Sequence, residues 1–131
     1  MPLLDHVGVK VTDLDRSIRF YSDLFGFEMV DRRMLGSSNV EAAAMQVGGS
    51  IIFLLHEPSF QARSPEEHGG VDHFCLTFTD PEFREILERI QAMGVRLEGG
   101  VVPRTGATGR SDSQYILDPD GNQIEVKTGL T

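Results

Sequence analysis

The sequence predicts an α+β fold: two tandem βαβββ modules forming a cupped, partly open, mixed eight-stranded sheet with the helices outside. Three observations predict it. The first is an internal repeat. Residues 4–13 (LDHVGVKVTD) overlay residues 71–80 (VDHFCLTFTD), with Asp, His, Thr and Asp coincident and the same apolar alternation between them. The second is that each copy passes from a period of two to a helical period directly after its Thr-Asp pair. The third is that a glycine follows each helical stretch, and extended segments follow the glycine. The expected organisation is one domain over residues 1–131, with a first module at 1–57, a linker at 58–70 and a second module at 71–131.

The elements follow in order. Val7, Val9 and Val11 alternate with His6, Gly8 and Lys10, which is a strand with one apolar and one mixed face. Asp13 is placed to cap a helix over 14–24, where Ile18, Tyr21 and Phe25 recur at three- and four-residue spacing. Gly26 suits its C-terminal cap. Three strands are expected at 27–33, 42–47 and 50–56, the last two joined by a tight turn at Gly48-Gly49. In the second module Phe74, Leu76 and Phe78 alternate with His73, Cys75 and Thr77. Asp80, with Pro81 at the first helical position, starts a helix carrying Phe83, Ile86, Leu87 and Ile90, and Gly94 ends it. Strands are expected at 95–98, 113–117 and 122–127, with the glycine- and threonine-rich stretch 100–109 between the first two read as a loop.

Composition excludes several classes of function. The chain has 131 residues, 40% of them apolar, which is ample for a core and argues against disorder. Its formal net charge of −8 repels nucleic-acid phosphates and anionic lipids, and its only adjacent basic pair is Arg32-Arg33. No apolar run approaches the ~18 residues that a membrane span requires. Cys75 is the single cysteine, so neither an internal disulfide nor a four-cysteine zinc site can form. The N-terminus has no basic region followed by an apolar stretch, and the expected setting is the reducing cytoplasm.

The mixed faces carry the candidate chemistry. His6 and His73 occupy matching places in the two copies, so modules related by a pseudo-twofold axis would bring two imidazoles together. Asp118-Pro119-Asp120-Gly121 is strong turn chemistry, and counting outward from it sets Tyr115 opposite Glu125 on the same face. Ile124 and Val126 then point to the core, which leaves Glu125 as a carboxylate on the cavity side of a buried strand. Two imidazoles and one carboxylate form a facial set with open positions for substrate and water. Arg104 and Arg110 flank the expected loop and suit a two-arginine clamp on an anionic group. His56, at a strand end, is a candidate acid–base group. Cys75 reads as a half-buried filler, and His68 as a solvent-exposed linker residue.

These segments resemble the vicinal oxygen chelate superfamily, which includes glyoxalases, fosfomycin-resistance transferases and extradiol ring-cleaving dioxygenases. The resemblance rests on Leu4-Asp5-His6-Val7 with the stretch 13–26, on Asp72-His73-Phe74, and most specifically on YILDPDGNQIE at 115–125. It implies paired βαβββ modules around one divalent cation, Fe2+ or Mn2+ first, with Zn2+, Ni2+ or Co2+ also compatible. It places His6, His73 and Glu125 at the ligand positions, and it implies a small substrate whose two neighbouring oxygens chelate the metal. Phe53 stands where glyoxalases carry a fourth, glutamate ligand, and is read as a substrate-side wall. The stretch 106–110 lacks the acid–base histidine that extradiol enzymes carry before the tyrosine, so ring cleavage would need another proton carrier, for which His56 is the candidate. Tyr115 is expected to donate a hydrogen bond to a chelated oxygen. The stretch 100–109 is similar to a small dioxygenase-like subgroup. The expected function is thus a dioxygenase-like metal enzyme of extradiol type. The alternatives are lyase, isomerase or thiol-transferase chemistry on the same metal, or a non-catalytic binding protein of the bleomycin-resistance type. A homodimer is expected, with the paired modules coming from one chain or exchanged between chains.

Overall fold

The computed structural model describes residues 3–36, 39–61 and 71–131; His68 and most of the expected linker lie outside the described residues. The chain divides into two compact units, Met1–Ala62 and Arg63–Thr131. Each has its own four-stranded mixed sheet, so the eight strands are hydrogen-bonded as two sets of four.

In the first unit β1 (His6–Val11) leads to α1 (Leu14–Phe25), then β2 (Glu28–Met34), β3 (Glu41–Val47) and β4 (Ser50–His56). The sheet order is β1-β4-β3-β2, with β1 parallel to β4 and the other pairs antiparallel. Parallel β1 and β4 cannot be joined by a tight turn, and the long excursion through α1, β2 and β3 supplies the crossover. Asp13 caps α1 by accepting from the Arg16 backbone N–H, and Gly26 ends it at φ 75°, a left-handed conformation that favours glycine. Val9, Val11, Ala43, Met45, Ile52 and Leu54 share one face of the sheet and are buried. Tyr21, Leu24 and Phe25 of α1 are buried too, and α1 lies against β2, β3 and β4. Arg32 of β2 ties the helix to the sheet edge, with its Nη1 2.7 Å from Asp15 and its Nε 3.1 Å from Glu41. That guanidinium holds the Asp15 carboxyl below the usual carboxylate range. Arg33 pairs with Asp31, so both members of the one basic doublet are spent on local ion pairs.

The second unit repeats the scheme. β5 (Phe74–Thr77) and α2 (Asp80–Met93) precede β6 (Arg96–Gly106), β7 (Gly109–Leu117) and β8 (Gln123–Lys127), in the order β5-β8-β7-β6 with β5 parallel to β8. The helix cap falls one residue earlier than the sequence suggested. Thr79 accepts from Glu82 N while the Glu82 carboxylate accepts from Thr79 N, a reciprocal capping box, and Asp80 is the first helical residue. The stretch 100–109 is not a loop but most of a long hairpin between β6 and β7. Pro103 is tolerated because β6 is an edge strand, where a missing N–H leaves no ladder partner unsatisfied. The register slips between Glu98 and Val102, where Gly99 adopts φ 69°. The β7–β8 turn is closed by Asp118, whose Oδ1 accepts from the backbone N–H groups of Asp120 and Asn122.

Candidate functional site

The registers of the two sheets show what each copy of the repeat contributes. In the second unit Cys75 lies beside Glu125, and Glu125 lies opposite Tyr115. His73, two residues before Cys75, therefore shares the face of Glu125 and Tyr115. Its Nε2 is 3.2 Å from Glu125 Oε1, and its ring meets the Tyr115 ring edge-on at 5.1 Å. In the first unit Gly8 lies beside Phe53, and Phe53 lies opposite Ala44. Phe53 is thus the structural counterpart of Glu125, and Ala44 that of Tyr115. His6 meets the Phe53 ring edge-on at 5.1 Å, where His73 meets a carboxylate.

Both imidazoles are held by the preceding residue. Asp5 Oδ2 is 2.6 Å from His6 Nδ1, and Asp72 Oδ2 is 2.7 Å from His73 Nδ1. A carboxylate on Nδ1 fixes the tautomer and turns Nε2 outward as a donor atom, the usual outer partner of a metal-bound imidazole. The two aspartates of the repeat thus orient the candidate histidines, a contact the sequence shows only as a repeated Asp-His pair.

Glu125 has the physical signature of an incomplete site. It is only 6% exposed, and its Oε2 is a buried side-chain oxygen with no hydrogen-bond partner. A buried carboxylate with one bare oxygen is costly unless a proton or cation completes it. The donor set at this point, one imidazole nitrogen and a carboxylate, is of the borderline type that suits first-row divalent metals. Among the described residues no three His, Cys, Asp or Glu side chains form a group that could hold a metal ion. The second unit supplies two donors.

Other candidates divide between favourable and unfavourable positions. The Tyr115 hydroxyl is pushed above its ordinary pKa, first by burial and then by the Glu125 carboxylate, against an opposing pull from Arg104. It is therefore a proton-bearing donor at neutral pH. Arg104 lies with its guanidinium 4.4 Å above the Tyr115 ring, and its Nη1 donates to the carbonyl and hydroxyl oxygens of Ser113. Arg110 does not join it: Arg104 lies opposite Ser111 and Arg110 opposite Thr105, so the two arginines sit on opposite faces of the hairpin. The expected two-arginine clamp is split by the strand that replaces the expected loop. His56 lies opposite Val11 and Glu41, on the face of Leu54 and away from that of Phe53 and His6 within its sheet. Cys75 is exposed rather than half-buried as expected, and desolvation followed by Glu125 pushes its thiol up to about 11, which disfavours the thiolate at neutral pH. Lys127, two residues after Glu125 on the same face, is only 1% exposed. Its Nζ donates to Ser111 Oγ at 2.5 Å and Thr108 Oγ1 at 3.4 Å. Strand alternation alone would have placed it there.

Comparison with known proteins gives a consistent result. The Glyoxalase/Bleomycin resistance protein/Dioxygenase superfamily matches residues 3–126. The chain is 32% identical over 124 residues to virulence protein STM3117 of Salmonella typhimurium, spanning 94% of this chain and 81% of that one. The crystal structure of STM3117 aligns with a TM-score of 0.71, covering 99% of this chain and 98% of the other. The chain is also 26% identical to the glutathione transferase FosA of Serratia marcescens, over 96% of this chain and 80% of that protein. It is 26% identical to the catechol-2,3-dioxygenase of Bacillus subtilis, but spans only 40% of that protein. No helix among the described residues is long and apolar enough to cross a membrane. Matched over nearly all its length, with the two-unit strand order and the histidine–carboxylate pair in place, the chain belongs to the Glyoxalase/Bleomycin resistance protein/Dioxygenase superfamily.

Proposed function

We propose that the protein is a divalent-metal-dependent enzyme that acts on a small substrate through two neighbouring oxygen atoms. The observation that carries this reading is the bare Oε2 of the buried Glu125, beside a histidine whose other nitrogen is already held by Asp72. His73 and Glu125 are the paired donors in this reading, and His6, oriented by Asp5 in the same way, is the third, from this chain or from a second copy. Fe2+ or Mn2+ suits one carboxylate with two imidazoles, and Zn2+, Ni2+ and Co2+ remain compatible. A cation bound there supplies Lewis-acid polarisation of the substrate oxygens. Tyr115, kept protonated by its surroundings, donates a hydrogen bond to one of those oxygens. Phe53, packed on His6, offers an apolar wall to the rest of the substrate.

Dioxygenase-like chemistry of extradiol type is the first reading of the reaction. It is tested by oxygen uptake with a panel of catechols under Fe2+, and by elemental analysis of the isolated protein. Uptake with ring cleavage supports it; a metal-loaded protein silent towards the whole panel rejects it. One observation favours a second reading, addition of a thiol to a small electrophile: the chain spans 80% of FosA and only 40% of the catechol dioxygenase. Thiol consumption in the presence of Mn2+ and an epoxide tests that reading. A homodimer in the cytoplasm remains part of the proposal, checked by sedimentation for the former and by fractionation for the latter.

A further inference from the structure

The candidate face of the second unit carries two cations in a crossed arrangement. Arg104 lies opposite Ser111, and Lys127 lies opposite Ser113. Arg104 does not donate to the serine it faces. Its Nη1 reaches Ser113, at 2.8 Å to the hydroxyl and 2.7 Å to the carbonyl. Lys127 reaches the other way, its Nζ 2.5 Å from the Ser111 hydroxyl. Each cation thus takes the hydroxyl of the residue facing the other, so both positive charges lie on the same face of the sheet, against neighbouring serines of β7.

Neither cation is neutralised. Their hydrogen-bond partners are hydroxyl and carbonyl oxygens, and among the described residues neither forms an ion pair. The acidic groups near this face are Glu125, Glu98 opposite Tyr115, and Asp72, which is engaged with His73 Nδ1. Glu125 turns one oxygen to His73 and leaves the other bare. Burying an ammonium as deeply as Lys127 against neutral hydroxyls alone is costly, and a neighbouring guanidinium adds like-charge repulsion. Arg104 is also pre-set for recognition. Tyr115 supports the face of its guanidinium and Ser113 fixes Nη1, while Nε and Nη2 make no hydrogen bond with the described residues. An oriented guanidinium with a free N–H edge matches the two oxygens of an acid group.

We propose that Arg104, backed by the buried charge of Lys127, is the subsite for an oxyanion group of the substrate, so that the enzyme acts on an anionic molecule: a carboxylate or a phosphonate attached to the oxygen-bearing part. This deepens the functional reading above and rests on it for the position of the chelating oxygens, but not for the acid subsite itself.

Calorimetry on the Mn2+-loaded full chain tests it with three probes: catechol, protocatechuate, and the phosphonate that replaces the carboxylate of protocatechuate. At least one acid-bearing probe is expected to bind about tenfold tighter than catechol. Whichever acid is preferred identifies the class. Arg104→Gln should reduce that preference to about twofold or less, and Lys127→Met should weaken it in the same direction. If Lys127→Met fails to fold, Arg104→Gln, at a half-exposed position, decides alone. Equal binding of all three probes overturns the proposal, as does a preference that survives Arg104→Gln. Should no probe bind because the metal reading itself is wrong, titration of the metal-free protein with inorganic phosphate decides. Binding weakened about tenfold by Arg104→Gln upholds the subsite, whereas no binding of phosphate at millimolar concentration rejects it.

Discussion

Replacing Glu125 with Gln should move the stability of the metal-free and metal-loaded protein in opposite directions. In the metal-free chain Glu125 buries a charge with one bare oxygen, while its other oxygen lies 3.2 Å from the His73 ring. A neutral amide of the same shape removes the charge and keeps a group able to bond His73. A buried charged group left unsatisfied costs more than the ~1–3 kcal/mol of a neutral one, so Glu125→Gln should stabilise the metal-free protein by about 1 kcal/mol. For a domain of this size that is about 4 °C in Tm. With metal the order reverses. At a free-metal concentration of about 100 Kd, wild type gains about 2.7 kcal/mol, or about 11 °C. If loss of the anionic ligand weakens binding about 100-fold, the same concentration stabilises the variant by only about 0.4 kcal/mol, or about 2 °C. Calorimetric melts of both proteins at pH 8, with and without Mn2+, give all four numbers, since protons compete least with metal at high pH. A metal-free variant less stable than wild type, or a metal-induced shift of equal size in both, refutes the reasoning.

Four more expectations follow from the geometry. Asp72→Asn should weaken metal binding by about tenfold without changing the circular dichroism spectrum, because the orienting bond to His73 Nδ1 is weakened while the fold is kept; titration calorimetry checks it. Gly26→Ala should cost about 1 kcal/mol in urea melts, since the added methyl meets no atom and only the left-handed backbone at φ 75° is penalised. Thr79→Ala should cost about 1 kcal/mol at neutral pH through loss of the capping box. That cost should shrink in acid: the bond from Thr79 holds the Glu82 carboxyl below its ordinary range, so its contribution is present above the usual glutamate pKa and is lost as pH falls through the lowered one, as melts at pH 7 and below pH 3 would show.

Much of the architecture is legible in the sequence because the local signals agree with one another. The repeat shows two units, the Asp-Pro-Asp-Gly turn anchors the count that sets Tyr115 opposite Glu125, and the glycines at 26 and 94 stand where the helices end. The failures have physical causes. The β6–β7 hairpin was hidden because glycines, threonines and a proline mark turns in isolation, whereas here Gly99 serves a bulge and Pro103 an edge. Reading that stretch as a loop also concealed strand parity, which places Arg104 and Arg110 on opposite faces and puts Lys127 beside Ser113. His56 shows the same rule: one residue of parity separates it from the face of Phe53.

The two copies of the repeat have kept and lost different things, and the difference indicates how the work is divided. Both retain an Asp-His pair with the same 2.6–2.7 Å bond, so the demand for an oriented imidazole acts on both units. At the position two strands' register assigns in common, one unit has Glu125 and the other Phe53; opposite those stand Tyr115 and Ala44. A carboxylate at Phe53, as at Glu125, would set a negative charge beside the His6 ring, where the phenylalanine instead packs edge-on at 5.1 Å. Phenylalanine there keeps the first unit to a single donor and an apolar wall, while the second unit concentrates the carboxylate, the phenol and both unpaired cations on one sheet face. The asymmetry between the two copies therefore gathers the chemically active side chains on one sheet face of the second unit and leaves the first with an imidazole against an apolar ring.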